Sequence, residues 1–444
     1  MPTETNIRQL AAESLCRIEV GGAFAGLTGP LQRTSDARLS RQATELIAGV
    51  TRRRRYLDFL IQSLYSGRFD KMEPLLKQIL RVGFYELLVA KKPPHAVLYE
   101  AVGLAKRMVR PGAGRLANGL LRALLRADDA LPVPDTADEA DYLGILHSHP
   151  TWMVRRWLDR FGQEETERLL HWNNARPVYG VRCNSLQTSP QDFHAALDAA
   201  GVSWEHGLYM EDFVRATKLQ PLLRGSLLQA GVCAIQDESA GLVVRLLDPQ
   251  PKEFIIDTCA APGGKALYAA LMMQNRGRVR AIDTHAARLT LLQRSAQSHG
   301  VTIVDAHVED LRSYAKKTDM AQADRVLLDA PCSGLGVLAK RADLRWNRTV
   351  EDLQELASLQ DVLLDHAALL VRRGGLLVYS TCSTEPEENE QRVAAFLRRH
   401  AGYRLEPPSR GLPSEVITRE GYLATLSHIH AVDGAFGARL RRIA

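Results

Sequence analysis

Two cysteines in polar, turn-forming segments are the residues of this chain best suited to covalent chemistry. Cys332 lies in Asp329-Ala330-Pro331-Cys332-Ser333-Gly334, and Cys382, fifty residues on, lies in Ser380-Thr381-Cys382-Ser383. A thiol attacks as its thiolate, whose pKa falls beside positive charge or backbone N–H groups. Upstream stands a third segment, Asp257-Thr258-Cys259-Ala260-Ala261-Pro262-Gly263-Gly264-Lys265. Each segment follows an apolar run: Phe254-Ile255-Ile256, Val326-Leu327-Leu328 or Leu376-Leu377-Val378-Tyr379. Ligands of an open α/β sheet bind beyond the carboxyl ends of its strands. A glycine loop and two cysteines are therefore expected at one sheet edge, as a cofactor site beside a thiol nucleophile.

The loop Cys259, Ala260, Ala261, Pro262, Gly263, Gly264, Lys265 suits close approach of the backbone to a ligand, because glycine has no Cβ. A helix starting there offers free N–H groups and a positive dipole end to an anionic group, and Lys265 adds a charge. The pattern is neither G-x-x-x-x-G-K-[ST] nor G-x-G-x-x-G, which disfavours a triphosphate or a dinucleotide. Asp283 closes the next strand-like run, Val279–Asp283, where an acid accepts hydrogen bonds from ribose hydroxyls or else caps a helix. Asp310, beyond the third strand, is within reach of an exocyclic amine. Together the set fits S-adenosylmethionine better than any member does alone.

A thiol beside a sulfonium methyl donor suits methylation at carbon 5 of a pyrimidine. That carbon is a poor nucleophile until a thiolate adds at carbon 6 and makes it enamine-like. A base then removes the carbon-5 proton and the thiol departs. Asp329, three residues before Cys332, is a carboxylate able to hold the base edge. Spacing alone leaves open which cysteine attacks. Cys16, Cys183 and Cys233 read as core residues. The six cysteines contain no C-x-x-C pair, so neither a metal site nor a disulfide framework is expected, and a reduced, cytoplasmic setting is the simplest reading.

The elements that must position these groups follow from periodicity. From about residue 232 strands alternate with helices, the pattern of a mostly parallel sheet, with strands expected at 253–257, 278–283, 301–305, 324–329 and 374–380. A helix over Thr349–Arg372 is capped by Thr349 and ended by Gly374-Gly375. Tyr422–Ile429 and Ala435–Ile443 read as an antiparallel edge hairpin around Asp433-Gly434. Residues 5–126 carry helical periodicity, with a break at Gly112-Ala113-Gly114, and an acidic, proline-bearing linker follows at Ala127–Asp135. The expected architecture is multi-domain: an all-α helical bundle (1–130), a small α+β connector (142–230) and a Rossmann-like α/β domain (231–444).

Composition agrees with a soluble chain of several domains: 444 residues, 45% hydrophobic and 24% charged, with no apolar run long enough for a membrane span and no basic-then-apolar leader. Residues 1–130 hold 21 Lys+Arg against 12 Asp+Glu, whereas the rest holds 36 against 39. The basic excess peaks at Arg52-Arg53-Arg54-Arg55 and reads as a polyanion footprint or, equally, a solvated helix face.

The segments Asp257–Lys265, Asp329–Gly336 and Tyr379–Ser383 closely resemble those of the RNA cytosine-C5 methyltransferases of the Fmu/Sun (NSUN-type) family. Residues 5–126, including Arg41–Arg54, Pro93-Pro94-His95-Ala96 and Leu116–Leu125, resemble a NusB-like RNA-binding domain, and Ser148–Trp152 with Val181–Leu186 resemble the family's connector. The resemblance implies a class I methyltransferase domain. It also implies Cys382 as nucleophile and Cys332 as the group that assists RNA release. It further implies cofactor contacts at Cys259–Lys265, Asp283, Asp310 and Asp329, with S-adenosylmethionine as cofactor and 16S ribosomal RNA as partner. Transfer RNA is a rival substrate that the catalytic motifs do not exclude. A rival of another class, an RNA-binding assembly factor, would have no need of both cysteines. The chain departs from the family's pattern at Ala266, where threonine is usual, at Ala342-Asp343 after the basic pair Lys340-Arg341, and at Gly437, where an aromatic is common.

Overall fold

The computed structural model describes residues 6–21, 37–127, 130–317, 322–408 and 411–444. Residues 5 and 22–36 of the helical stretch, and Asp128-Asp129 of the acidic linker, lie outside the described residues. Two compact units divide the chain. The first comprises residues up to Ala175 together with Leu338–Asn347, and the second comprises Arg176–Val337 and Arg348–Ala444.

The first unit is all helical: α1 (Ile7–Gly21), α2 (Ala37–Leu64), α3 (Pro74–Leu88), α4 (Pro94–Met108), α5 (Pro111–Ala127), α6 (Glu139–Leu146) and α7 (Thr151–Asn174). Helices α3, α4 and α5 each begin on a proline, whose missing N–H costs nothing in the first turn. Leu76, Ile79, Leu80 and Phe84 of α3 join Leu57, Leu60, Leu104 and Leu121 in one apolar core. The break expected at Gly112-Ala113-Gly114 falls just before it, at Val109-Arg110 between α4 and α5, and the three residues form the first turn of α5. Gly114 is there for packing: a Cβ on it would meet Lys106 Cγ at 2.3 Å.

Three of the four guanidiniums in the arginine run are held by protein partners. All four residues are half-buried on α2. Arg52 donates to Ala339 O at 3.0 Å. Arg54 pairs with Glu19 at 2.9 Å and lies over the Trp346 ring at 5.3 Å. Arg55 binds Asp141, His149 O and Thr151 at 2.6–2.9 Å. Arg345, fully buried, donates to Asn174 Oδ1 at 2.9 Å and to the carbonyls of Asn173 and Ser148 at 3.0 and 3.2 Å. These guanidiniums tie Leu338–Asn347 and α6–α7 onto α2. Deeper in the bundle, Arg81 forks onto Asp58 at 2.6 and 2.7 Å and also binds Glu19. Burial pushes the Asp58 carboxyl up, against the pull of Arg81.

The second unit holds two sheets. Strands β1 (Tyr179–Cys183), β2 (Trp204–His206), β3 (Phe213–Ala216) and β4 (Cys233–Ile235), with helices α8 (Pro190–Ala199) and α9 (Gln220–Arg224), form an antiparallel sheet in the order β2-β3-β1-β4. Cys183 and Cys233 face each other in it, and burial pushes their thiols up to about 11 and about 12, in keeping with core residues.

The larger sheet follows from α10 (Glu238–Leu247), β5 (Phe254–Asp257), α11 (Gly264–Met272), β6 (Arg278–Asp283), α12 (Ala286–Ser298), β7 (Val304–Val308), α13 (Leu311–Tyr314), β8 (Ala323–Asp329), α14 (Val350–Leu369), β9 (Val371–Thr381), α15 (Glu390–Arg399), β10 (Tyr403–Leu405), β11 (Leu423–Thr425), α16 (Ser427–His430) and β12 (Ala435–Arg442). Its order is β10-β12-β9-β8-β5-β6-β7, with β11 on β12; β7 through β9 run parallel and the C-terminal strands antiparallel. Successive residues face opposite layers. Ile255 packs with α10 and α11, and Ile256 packs with α14.

Three boundaries differ from the expectations. The strand expected at 301–305 is Val304–Val308, because the Val301 N–H is taken by Ala296 O in closing α12. Helix α14 carries the expected Thr349 cap, completed by Asp352 into a capping box, but ends at Leu369, before Gly374-Gly375. Those glycines lie inside β9 near a register shift against β8, where a Cβ on Gly375 would meet two carbonyl oxygens at 2.8 Å. The expected antiparallel pair is present but is not an edge hairpin: β11 pairs with β12, Leu423 opposite Gly437 and Thr425 opposite Ala435. Residues 427–430 are helical, and β12, buried from Ala435 to Leu440, is an interior strand between β10 and β9.

Removing Arg81 would strand Asp58 in the bundle. Arg81→Met is expected to destabilise the first unit by about 3–5 kcal/mol, read as a lower denaturant midpoint of its helical signal. An unchanged midpoint would deny the cluster its structural role.

Candidate active site

The order β9-β8-β5-β6 brings the three motif-bearing strand ends to one edge, with β5 and β8 adjacent at the point where strand order reverses. The loop after β5 is strapped to its neighbours: Thr258 N and Oγ1 donate to Leu327 O, Ala260 N to Ile282 O, and Ala261 N to Asp283 Oδ2 at 3.0 Å. Gly263 has φ +107, and a Cβ on it would meet Leu292 Cγ at 2.5 Å, so the loop needs glycine at this position. As N-cap of α11 it supplies no capping side chain, leaving the first N–H groups of the helix open.

Lys265 Nζ donates to Asp329 Oδ2 at 2.7 Å, and Ser380 Oγ donates to Asp329 Oδ1 at 2.8 Å. One carboxylate thus joins the glycine loop, the β8 end and the β9 end. Burial works against the Lys265 charge, but Asp329 outweighs it and holds the ammonium protonated. Beside this chain the Cys332 and Cys382 Sγ atoms stand 3.2 Å apart. Each can donate to the other, and the surrounding charges break the symmetry. The hydrogen bond from Cys332 lowers the Cys382 pKa and Lys265 helps, against burial and Asp329. Cys332 is pushed well above the usual thiol range by that same bond, by burial and by nearby Glu388.

Glu388 went unnoticed in the sequence. Fully buried, it accepts from Ser333 N at 2.8 Å, Ser333 Oγ at 2.5 Å, Gln360 Nε2 at 3.0 Å and Ser383 Oγ. It therefore binds the residue following each cysteine. Thr381 Oγ1 donates to Asn389 Oδ1, and Asn389 Nδ2 to Ser383 O, adding a second tie. The only signal in the sequence is Pro386-Glu387-Glu388-Asn389 shortly after Cys382. Arg348 was also missed; its guanidinium donates to Ser333 O at 3.1 Å. Gly336 and Gly434 approach so closely that a Cβ on Gly336 would lie 2.4 Å from Gly434 O and 2.7 Å from Cys382 O.

The other singled-out acids are occupied locally. Asp283 Oδ1 accepts from His285 N at 2.9 Å, while Asp310 caps α13 and pairs with Arg312 at 2.6 Å. Cys259 is half-buried, and its thiol is pushed up by burial and by Asp257. Asp257 itself is buried without a side-chain partner.

Residues 244–441 match the family described as 16S rRNA methyltransferase RsmB/F, residues 5–126 the NusB family, and residues 149–221 the ferredoxin-like domain of RsmF/B-like methyltransferases. "Probable ribosomal RNA small subunit methyltransferase B" of Bacillus subtilis (strain 168) is 33% identical over 455 residues, 99% of both chains. The chain belongs to the ribosomal RNA small subunit methyltransferase B family. The family's protein from Escherichia coli O1:K1 / APEC is 33% identical over 424 residues, 93% of this chain and 96% of the other. The crystal structure of PH0851 superposes with a TM-score of 0.83 at 26% identity, covering 99% of each chain.

The departures from the family's pattern have local accommodations. Ala266 is buried in the core of α11, where a hydroxyl would need a partner. Gly437 lies against Leu246, whose Cδ2 is 2.8 Å from where its Cβ would stand, so a larger side chain would need Leu246 to move. Among the described residues no cluster of His, Cys, Asp or Glu could hold a metal ion, and no helix is long and apolar enough to cross a membrane.

Glu388→Ala leaves four donors without their acceptor and is expected to cost at least about 2 kcal/mol, with Glu388→Gln intermediate; denaturant unfolding and the alkylation rate of Cys382 read the effect. Asp257 offers a pH test. Burial, then the Asp329 charge, raises its carboxyl to about 7, above an unfolded value of about 3.9. Its contribution is therefore present below the unfolded pKa and is lost as pH rises through about 7. The stability of Asp257→Asn relative to the natural chain should increase from pH 5 to pH 8. A constant difference would contradict the shift.

Proposed function

We propose that this chain transfers a methyl group from S-adenosylmethionine to carbon 5 of a cytosine in 16S ribosomal RNA, with Cys382 as nucleophile and Cys332 as the release group. The observation that carries the reading is the 3.2 Å approach of the two sulfurs beside Lys265 and Asp329. The choice of RNA rests on the names of the relatives. In this reading residues 1–130 hold RNA, 142–230 connect, and 231–444 carry the chemistry in a cytoplasmic setting.

The residues present suit the cofactor. Open N–H groups at the start of α11 fit its carboxylate, and the Cys259–Lys265 loop, held by Asp283, fits close approach of its backbone. Asp283 keeps lone pairs for ribose hydroxyls and Asp310 for an exocyclic amine. The two Asp257 oxygens, buried and without side-chain partners, are acceptors beneath the same loop. S-adenosylmethionine, when bound, supplies an electrophilic methyl group.

The protein's own part begins at Cys382. Its thiolate, stabilised by the Cys332 S–H and by Lys265, forms a bond to carbon 6 of the flipped-out base. The ring electron pair moves to carbon 5, which becomes the nucleophile, while Asp329 holds Lys265 in place and offers its remaining lone pairs to the base edge. Once carbon 5 is methylated, a base takes its proton, the electrons of that C–H bond restore the carbon 5–carbon 6 double bond, and the carbon 6–sulfur pair leaves with Cys382 as a thiolate. Cys332, adjacent and protonated, assists that departure.

Incubation with methyl-labelled S-adenosylmethionine and unmodified 16S RNA, followed by bisulfite mapping, tests the reading. Cys382→Ser should lose at least about 10³-fold in rate, and Cys332→Ala should accumulate a protein–RNA adduct visible on a denaturing gel. Turnover by Cys382→Ser would remove its assignment. Without RNA, Cys332→Ala should move the alkylation profile of Cys382 to higher pH, because the donor that lowers its pKa is gone.

A further inference from the structure

We propose that the groove between α4 and α5 binds single-stranded RNA, with a base stacked on Tyr99 and phosphates held by Lys106, Arg107 and Arg122. The inference deepens the RNA methyltransferase reading, on which it rests. The groove encloses about 940 Å³ within the first unit. Along α4, His95, Tyr99, Gly103 and Arg107 recur at steps of four and form one face, with Lys106 beside them. Along α5, Asn118 and Arg122 face the same space.

Tyr99 is 80% exposed, so its ring covers no core and is open for stacking. Gly103 keeps the floor clear, since a Cβ there would meet only the Arg107 guanidinium. Lys106 and Arg107 are exposed and make no hydrogen bond or ion pair among the described residues; Arg122 holds only the neutral Asn118 amide, at 3.2 Å. The one acid in the lining, Glu100, is engaged by the Asn6 amide. Arg52, Arg54 and Arg55, by contrast, are committed to protein partners. Unpaired cations flanking an exposed ring are what a single strand uses, because it offers both phosphates and open base faces. A duplex offers its phosphates but hides those faces, and an acidic protein surface would leave Tyr99 idle.

The test uses the full chain, a fluorescein-labelled 20-nucleotide uridine strand and an RNA duplex of equal length, with anisotropy titrations at several KCl concentrations. Tyr99→Ala should weaken binding to the strand about fivefold or more and leave the duplex within twofold. Joint Lys106→Ala, Arg107→Ala and Arg122→Ala should flatten the log–log salt slope by about 2. A 4-thiouridine strand should crosslink to residues 95–107. Strand affinity unchanged by Tyr99→Ala, an unchanged salt slope, or crosslinks confined elsewhere would each overturn the groove. Groove-dependent binding by a chain that methylates no cytosine would sink the proposed reaction alone. Methylation by a chain whose groove variants bind normally would sink the groove alone.

Discussion

The active-site edge depends on a single buried negative charge. Glu388 sits out of water with four donors converging on it, two from the segment after Cys332, one from the segment after Cys382 and one from α14. An isolated carboxylate would be costly there, and a fully satisfied one is stable only if both loops hold their positions. The same carboxylate that needs the loops therefore fixes the loops. Two thiols of nearly equal sequence context end up 3.2 Å apart. The hydrogen bond from Cys332 to Cys382, with Lys265 near one and Glu388 near the other, then separates their acidities.

A second carboxylate works in a complementary way. Asp329 is not buried like Glu388, yet it touches the glycine loop through Lys265 and the β9 end through Ser380. The parallel sheet makes this possible, because β5, β8 and β9 all end on the same side and in register, Asp257 opposite Leu327 and Asp329 opposite Ser380. Backbone pairing sets the spacing to within a strand width, and the ion pair and hydroxyl complete the alignment.

Much of this was legible because it rests on local pattern. Three apolar runs, each followed by a polar turn, were enough to bring the glycine loop and both cysteines to one edge of a mostly parallel sheet. The failures share a cause: a residue was read by its usual behaviour where a tertiary neighbour decided. Gly112 and Gly114 looked like the break itself, but the break falls at Val109-Arg110, and the close stem of Lys106 requires a small residue inside α5. Gly374-Gly375 looked like a helix stop and instead serve a register shift in β9. The arginine run was read as a polyanion footprint or a solvated face, because charge counting cannot register Asp141, Glu19 or a carbonyl waiting opposite. Glu388 escaped notice for the converse reason, since a glutamate in an acidic stretch is ordinarily a surface residue.

The interior position of β12 also bears on biosynthesis. Cys382 follows the end of β9, whose flank pairs with residues 436–441. On a ribosome those residues emerge 54 to 59 positions after the thiol. Until then β9 has an open flank, and the Gly336–Gly434 contact beside Cys382 cannot form. Maturation of the thiol site is thus coupled to synthesis of β12, because the site's flank stays open until that strand is made.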